Sequence, residues 1–127
     1  MQTKSYISLA NKLNKKKHTI GIVGLGYVGL PLVKRFIKSG CKKIFGVDSD
    51  ARKVKFLKNG VSPIDSIDIK YFKNNKEKVS TNYIVLNQAD IIVICLPTPL
   101  KSKNIPDLKY LDDCYKNLSK IDIKDKI

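Results

Sequence analysis

Three glycines, Gly24, Gly26 and Gly29, stand in the spacing G-x-G-x-x-G between two segments of different periodicity. The short apolar run Ile20 to Val23 precedes them, and an amphipathic stretch from Val28 to Lys38 follows. Strand, tight turn and helix in that order are the context in which this pattern points to a dinucleotide. Gly24 is expected to make the sharp turn out of the strand. Gly26 lets a pyrophosphate approach the backbone without a Cβ in the way, and Gly29 lets the helix pack closely on the strand. The phosphates then lie on the unpaired N–H groups at the positive end of the helix. Pro31 falls in the first helical turn, where a missing N–H removes no bond. Three glycines by themselves equally fit a turn with a purely structural task, so the flanking residues decide.

The next apolar run, Lys43 to Val47, ends at Asp48. Asp48 stands 19 residues beyond Gly29, close to the spacing of about 20 for the acid that binds the adenosine ribose. A carboxylate there accepts hydrogen bonds from the ribose hydroxyls and repels a 2′-phosphate, which favours NAD over NADP. The competing assignment is a helix cap, since a helix is expected to begin near Asp50 and Asp is a good N-cap.

The remaining chemistry is sparse. Cys41, Cys95 and Cys114 are widely spaced, with no C-x-x-C and no neighbouring histidine, so neither a disulfide framework nor a metal site is expected. Cys95 lies in an apolar run and reads as a small core residue. His18, the one histidine, stands beside lysines and is expected to be solvated, with no catalytic role. The net charge of +14 raises the question of a nucleic-acid partner. Against that, Arg35 and Arg52 are the only arginines among 25 basic residues, and the lysines are spread along the chain, with Lys15-Lys16-Lys17 the one run of three. Arginine forks and aromatic platforms, which read bases, are not evident. Lysine and asparagine enrichment also follows from an A+T-rich coding sequence. The expected consequence is a general attraction to anionic ligands such as dinucleotides and nucleotide sugars.

At 127 residues the chain makes one small domain, and 43% hydrophobic residues suit a globular α/β unit. Its longest apolar stretch, Ile91 to Leu96, is far short of the roughly 20 residues of a membrane helix. Met1 to Lys17 has no sustained apolar core or cleavage signal, so a cytoplasmic protein is expected. We read residues 1–17 as a basic extension with a short helix over Ser5–Leu13, then strands at about 19–23, 43–47 and 91–95 and a brief one at 78–81. Helices are expected at about 27–38, 50–58 and 107–118, another between 61 and 75 carrying Ile67, Ile69, Tyr71 and Phe72, and a helical turn at 85–89. Leu108, Leu111, Tyr115 and Leu118 define the expected inner face of the last helix. Alternating strands and helices imply a Rossmann-like α/β fold, a doubly wound parallel sheet. Only about four strands are supplied, so residues 18–127 read as an incomplete, truncated domain in which the strand at 91–95, apolar on both faces, is left as an edge.

Several of these residues resemble a known family. Gly24-Leu25-Gly26-Tyr27-Val28-Gly29-Leu30-Pro31, together with Ile94-Cys95-Leu96-Pro97-Thr98-Pro99-Leu100 and Pro106-Asp107-Leu108, look like the N-terminal domain of the UDP-glucose/GDP-mannose dehydrogenases. Gly60-Val61-Ser62-Pro63-Ile64 resembles the family's segment after its second helix, and the likeness covers roughly residues 18–120. The opening helix and the Pro-Thr-Pro-Leu form look most like the UDP-N-acetylglucosamine 6-dehydrogenase branch. Members oxidise the C6 alcohol of a nucleotide sugar to a carboxylate with two NAD⁺ in succession. The resemblance implies that Gly24, Leu25, Gly26, Tyr27, Val28 and Gly29 cradle the pyrophosphate, that Asp48 holds the adenosine ribose and Lys53 the same end of the cofactor, and that Pro97 and Thr98 line its cleft. The family's cysteine, lysine and aspartate of the second oxidation belong to regions beyond residue 127, as do its substrate and C-terminal domains. No catalytic residue is therefore assigned, and the chain is expected to be inactive alone. A nucleotide sugar is then a partner only with those domains, and a complementary C-terminal half is a further candidate. Two other readings remain open: a non-catalytic NAD-binding sensor or partner module, and a basic nucleic-acid-binding protein.

Overall fold

The structure, a computed structural model, describes residues 2–15, 17–65 and 67–127. Four parallel strands form one sheet: β1 (Ile20–Val23), β2 (Ile44–Val47), β3 (Val79–Ser80) and β4 (Ile91–Ile94), in the spatial order β3-β2-β1-β4. In the central register Ile20 stands opposite Ile44 and Ile91, and Val23 opposite Val47 and Ile94. The α-helices are α1 (Gln2–Asn14), α2 (Gly29–Lys38), α3 (Ala51–Lys58) and α4 (Lys109–Leu118). Among the described residues no helix is long and apolar enough to cross a membrane.

The alternation of each strand sorts its side chains between two layers. Ile20, Ile22 and Ile44 face a cluster that includes Leu30 and Val33 of α2, Val54 and Leu57 of α3, and Phe72. Val23, Phe45 and Val47 face the opposite cluster, with Leu86 and Cys114 of α4. Helical segments on both faces make the sheet doubly wound, as the alternating pattern implied. α3 is capped by Asp50, whose side chain accepts the Arg52 N–H. Asp48 is therefore not the cap, although it accepts the Asp50 N–H at 2.9 Å.

Four expectations are corrected. The helix expected between 61 and 75 is irregular chain closed by a 3₁₀ turn over Tyr71–Lys73; Ser66 lies outside the described residues. Ile64, Ile69 and Phe72 are buried against the α2 layer from this irregular chain, and the Tyr71 hydroxyl accepts the Ile44 N–H while donating to Lys42 O, bonds to backbone at the start of β2. In α4 the innermost residue is Cys114, so the packed face runs through Leu111, Cys114 and Leu118 while Tyr115 points out, 75% exposed. β4 takes the expected edge position and is therefore not the buried strand that its composition, apolar on both faces, suits. Ile91, Ile92 and Val93 are half-buried and Ile94 is exposed, and among the described residues its outer side is met at Ile127. There Ile127 N donates to Asp90 O and Ile92 N donates to Ile127 O, the pattern of a parallel pair. His18 is half-buried rather than solvated, and its Nδ1 has no partner. The Lys15–Lys17 run includes Lys16, which lies outside the described residues.

Asp90 ties the opening helix to the sheet. Its carboxylate accepts the Lys12 ammonium at 2.6 Å, and the Thr19 N–H and hydroxyl at 2.9 Å each. Burial works to raise its pKa, yet the Lys12 and Thr19 donors together hold it below the usual carboxylate value. A depressed folded-state pKa contributes stability that is complete above the unfolded value and is lost as pH falls through the folded one. Asp90→Ala is expected to lower stability at pH 7 by about 1–3 kcal/mol, the cost of stranding a part-buried donor. Its urea midpoint should also lose less than the parent's between pH 7 and pH 3. Equal acid sensitivity in both would remove Asp90 from this role.

Candidate functional site

The site forms where the chain order of the strands reverses. β1, β2 and β3 step in one direction, and the chain then returns to place β4 on the other side of β1. The crevice at the carboxyl ends of β1 and β4 is the place such sheets offer a ligand. Gly24 leaves β1 there with φ +92°, and a Cβ on it would stand 2.5 Å from Cys95 O at the end of β4.

Each glycine of the turn has a different geometric reason. At Gly29 a Cβ would lie 1.7 Å from Gly24 O, so only glycine lets α2 begin directly against the end of β1. At Gly26 a Cβ would meet nothing within 4 Å. The fold leaves that position open, toward the space a ligand would take. Among the described residues the N–H groups of Gly26, Tyr27 and Val28 make no backbone hydrogen bond, and the first turn of α2 contains no acidic residue. Tyr27 is 85% exposed, and Val28 is also exposed. The turn thus presents unpaired donors and a positive helix end in the arrangement that suits an anion.

Leu25 departs from the rest of the turn. Its side chain is fully buried in the α2 layer, and its N–H donates at 2.9 Å to Asp48 Oδ2. Asp48, at the end of β2, is 8% exposed. Its other oxygen accepts the Asp50 N–H at 2.9 Å, and the Lys53 ammonium stands 3.5 Å from Oδ2. Gly24 to Gly29, Asp48 and Lys53 are therefore brought together. Pro97 and Thr98 follow the end of β4, across from Gly24, and are exposed. Beyond them the chain makes a hairpin, with Leu100 paired to Pro106, Asp107 N donating to Pro99 O, and Lys101 Nζ 3.4 Å from Asp107 Oδ1. The sequence carries no sign of this hairpin, because its tip uses left-handed Lys103 and Asn104 rather than glycine. It also gave no weight to Arg52, whose guanidinium is held by Asp50 at 3.3 Å.

Burial pushes up the thiol pKa of Cys41, Cys95 and Cys114 alike. That is the reverse of an activated nucleophile, which needs an exposed, electropositive setting. The Tyr83 hydroxyl is raised too, first by burial and then by its hydrogen bond with Cys114. The turn offers unpaired donors of the kind that suit an anion, and burial gives none of the three thiols the setting of an activated nucleophile.

Residues 18–127 match the UDP-glucose/GDP-mannose dehydrogenase family, NAD binding domain. Protein CapL of Staphylococcus aureus is 34% identical over 108 residues, which is 85% of this chain and 25% of that protein. The UDP-N-acetyl-D-mannosamine dehydrogenase of Yersinia pestis is 33% identical over 107 residues, 81% of this chain and 25% of that one. Among solved structures, the UDP-D-ManNAc dehydrogenase of Pyrococcus horikoshii superposes with a TM-score of 0.69 at 29% identity, over 82% of this chain and 26% of that one. The chain spans about a quarter of the length of the curated relatives it matches.

The two glycines separate fold from binding. Gly29→Ala is expected to cost about 3 kcal/mol, because the obstructing atom is backbone and α2 must move off β1. Gly26→Ala should stay within about 0.5 kcal/mol of the parent. Urea unfolding of both variants checks this; a Gly29→Ala midpoint equal to that of Gly26→Ala would contradict the packing role.

Proposed function

Because the chain belongs to the UDP-glucose/GDP-mannose dehydrogenase family, we propose that it binds NAD across the Gly24–Gly29 turn as the cofactor domain of a nucleotide-sugar 6-dehydrogenase. The pyrophosphate lies on the free N–H groups of Gly26, Tyr27 and Val28. The Asp48 carboxylate accepts from the adenosine ribose, Lys53 stands at the same end, and Pro97 and Thr98 border the cleft beyond β4. One observation carries this reading: the 2.9 Å hydrogen bond from Leu25 N–H to Asp48 joins a pyrophosphate-type turn to a ribose-type acid as one built unit.

When bound, the nicotinamide ring accepts hydride. The work of these residues is to hold the dinucleotide, orient it and exclude one with a 2′-phosphate. In the whole enzyme we assign a UDP-linked sugar, of the N-acetylhexosamine type, as the alcohol oxidised at C6 to the carboxylate for surface-polysaccharide synthesis. Substrate and nucleophile come from the complementary C-terminal part of that enzyme, and the setting is cytoplasmic. Support for the division of labour comes from the thiols, all three of which burial keeps protonated.

Titration of the folded chain with NAD⁺ and NADP⁺ by calorimetry tests the reading, with selective NAD⁺ binding expected and no binding by a folded chain overturning it. Gly26→Val should unfold like the parent and bind no NAD⁺, since its side chain enters space that only the pyrophosphate needs. Asp48→Ala should weaken NAD⁺ by about tenfold or more, the worth of a hydrogen bond to a charged group, and narrow the preference over NADP⁺. Unchanged preference in that variant would take Asp48 away from the ribose.

A further inference from the structure

Two acid–base pairs sit side by side at the start of α3. Lys53 Nζ is 3.5 Å from Asp48 Oδ2. Arg52 Nε is 3.3 Å from Asp50 Oδ1 and Arg52 Nη2 is 3.4 Å from Asp50 Oδ2. The pairs are joined, because the Asp50 N–H donates to Asp48 Oδ1. Four charges thus occupy one turn of chain beside the carboxylate assigned to the adenosine ribose. The Arg52 hydrogen bond, side chain first, also holds the Asp50 carboxyl below its ordinary pKa.

A phosphate ester on the ribose needs a cation with free donors, and a guanidinium fork matches its oxygens best. Both cations at this spot already have carboxylate partners. Asp48 excludes the phosphate by its own charge and by engaging Lys53. Asp50 is not assigned to the ribose; beyond the repulsion of its own charge, it acts on a phosphate through Arg52, the cation it holds.

We propose that Asp50 is a second determinant of cofactor choice, a positioning residue that engages Arg52 and so silences a latent 2′-phosphate site formed by Arg52 and Lys53. This rests on the placing of the adenosine ribose at Asp48. It separates two tasks of Asp50 that the sequence merges, because a serine in its place can still cap α3 but cannot hold a guanidinium by charge.

The test is calorimetric titration of the full chain and its Asp50→Ser variant with NAD⁺, NADP⁺ and adenosine 2′,5′-bisphosphate at low salt. The variant should gain about three- to fivefold in NADP⁺ affinity relative to NAD⁺, the scale of an exposed ion pair. The gain should shrink at about 0.5 M salt, where exposed charges are screened. It should vanish in Asp50→Ser/Arg52→Gln. A ratio that stays fixed in folded Asp50→Ser, or a gain that survives loss of Arg52, overturns the proposal. If the parent binds no NAD⁺, the cofactor-domain reading fails separately, and adenosine 2′,5′-bisphosphate then decides alone. An Arg52-dependent gain for that probe supports the latent site, and none overturns it.

Discussion

The approach of Gly29 to the Gly24 carbonyl sets the geometry of everything around it. A side chain at Gly29 would stand 1.7 Å from that oxygen, so α2 starts in direct contact with the end of β1. The contact aims the helix start, with its unpaired N–H groups and positive partial charge, at the crevice between β1 and β4. It also fixes Leu25, whose side chain goes into the core while its N–H points to Asp48. A buried amide donor needs a partner, and the carboxylate of the next strand supplies it. The ribose-type acid and the phosphate-type turn are therefore positioned by one another, and neither is a free-standing group on a loop.

Most of this region was legible because its determinants are local. The glycine spacing, the apolar run before it, Asp48 at the end of the second strand and Asp50 before the next helix all act within a few residues of their effects. The strand order also follows once the elements alternate, since right-handed crossovers leave few topologies. Legibility fails where single side chains serve distant partners. Between 61 and 75 the apolar residues suggested a helix, but Ile64, Ile69 and Phe72 join the α2-side core from irregular chain, and Tyr71 bonds backbone at Lys42 and Ile44. Asp90 carries no local signal of its role. Its partners Thr19 and Lys12 lie 71 and 78 residues away, out of reach of any local pattern.

The same distinction explains the last helix and the last strand. Helical spacing correctly marks 109–118, yet several faces of an amphipathic helix can be drawn through Leu108, Leu111, Cys114, Tyr115 and Leu118. Only contact with Val23, Phe45 and Val47 selects the one containing Cys114. For β4 the composition, apolar on both faces, describes a strand suited to burial, while its accessibility depends on what lies beyond its outer edge. Composition reports the environment a strand is suited to, and coordinates report the one it has.

Charge has to be argued at the same short range. A net +14 gives the domain a broad attraction for anions, and on that basis alone a phosphorylated cofactor would be preferred over an unphosphorylated one. Screening confines exposed charges to about 8–10 Å at physiological salt, so the total says little about a single ribose hydroxyl. At that point the balance is even: Asp48 faces Lys53, and Asp50 faces Arg52. The lysines scattered over the surface can draw a dinucleotide in without choosing between its forms. On the proposed reading the choice falls to two carboxylates, Asp48 accepting from the ribose and Asp50 keeping the nearest guanidinium occupied.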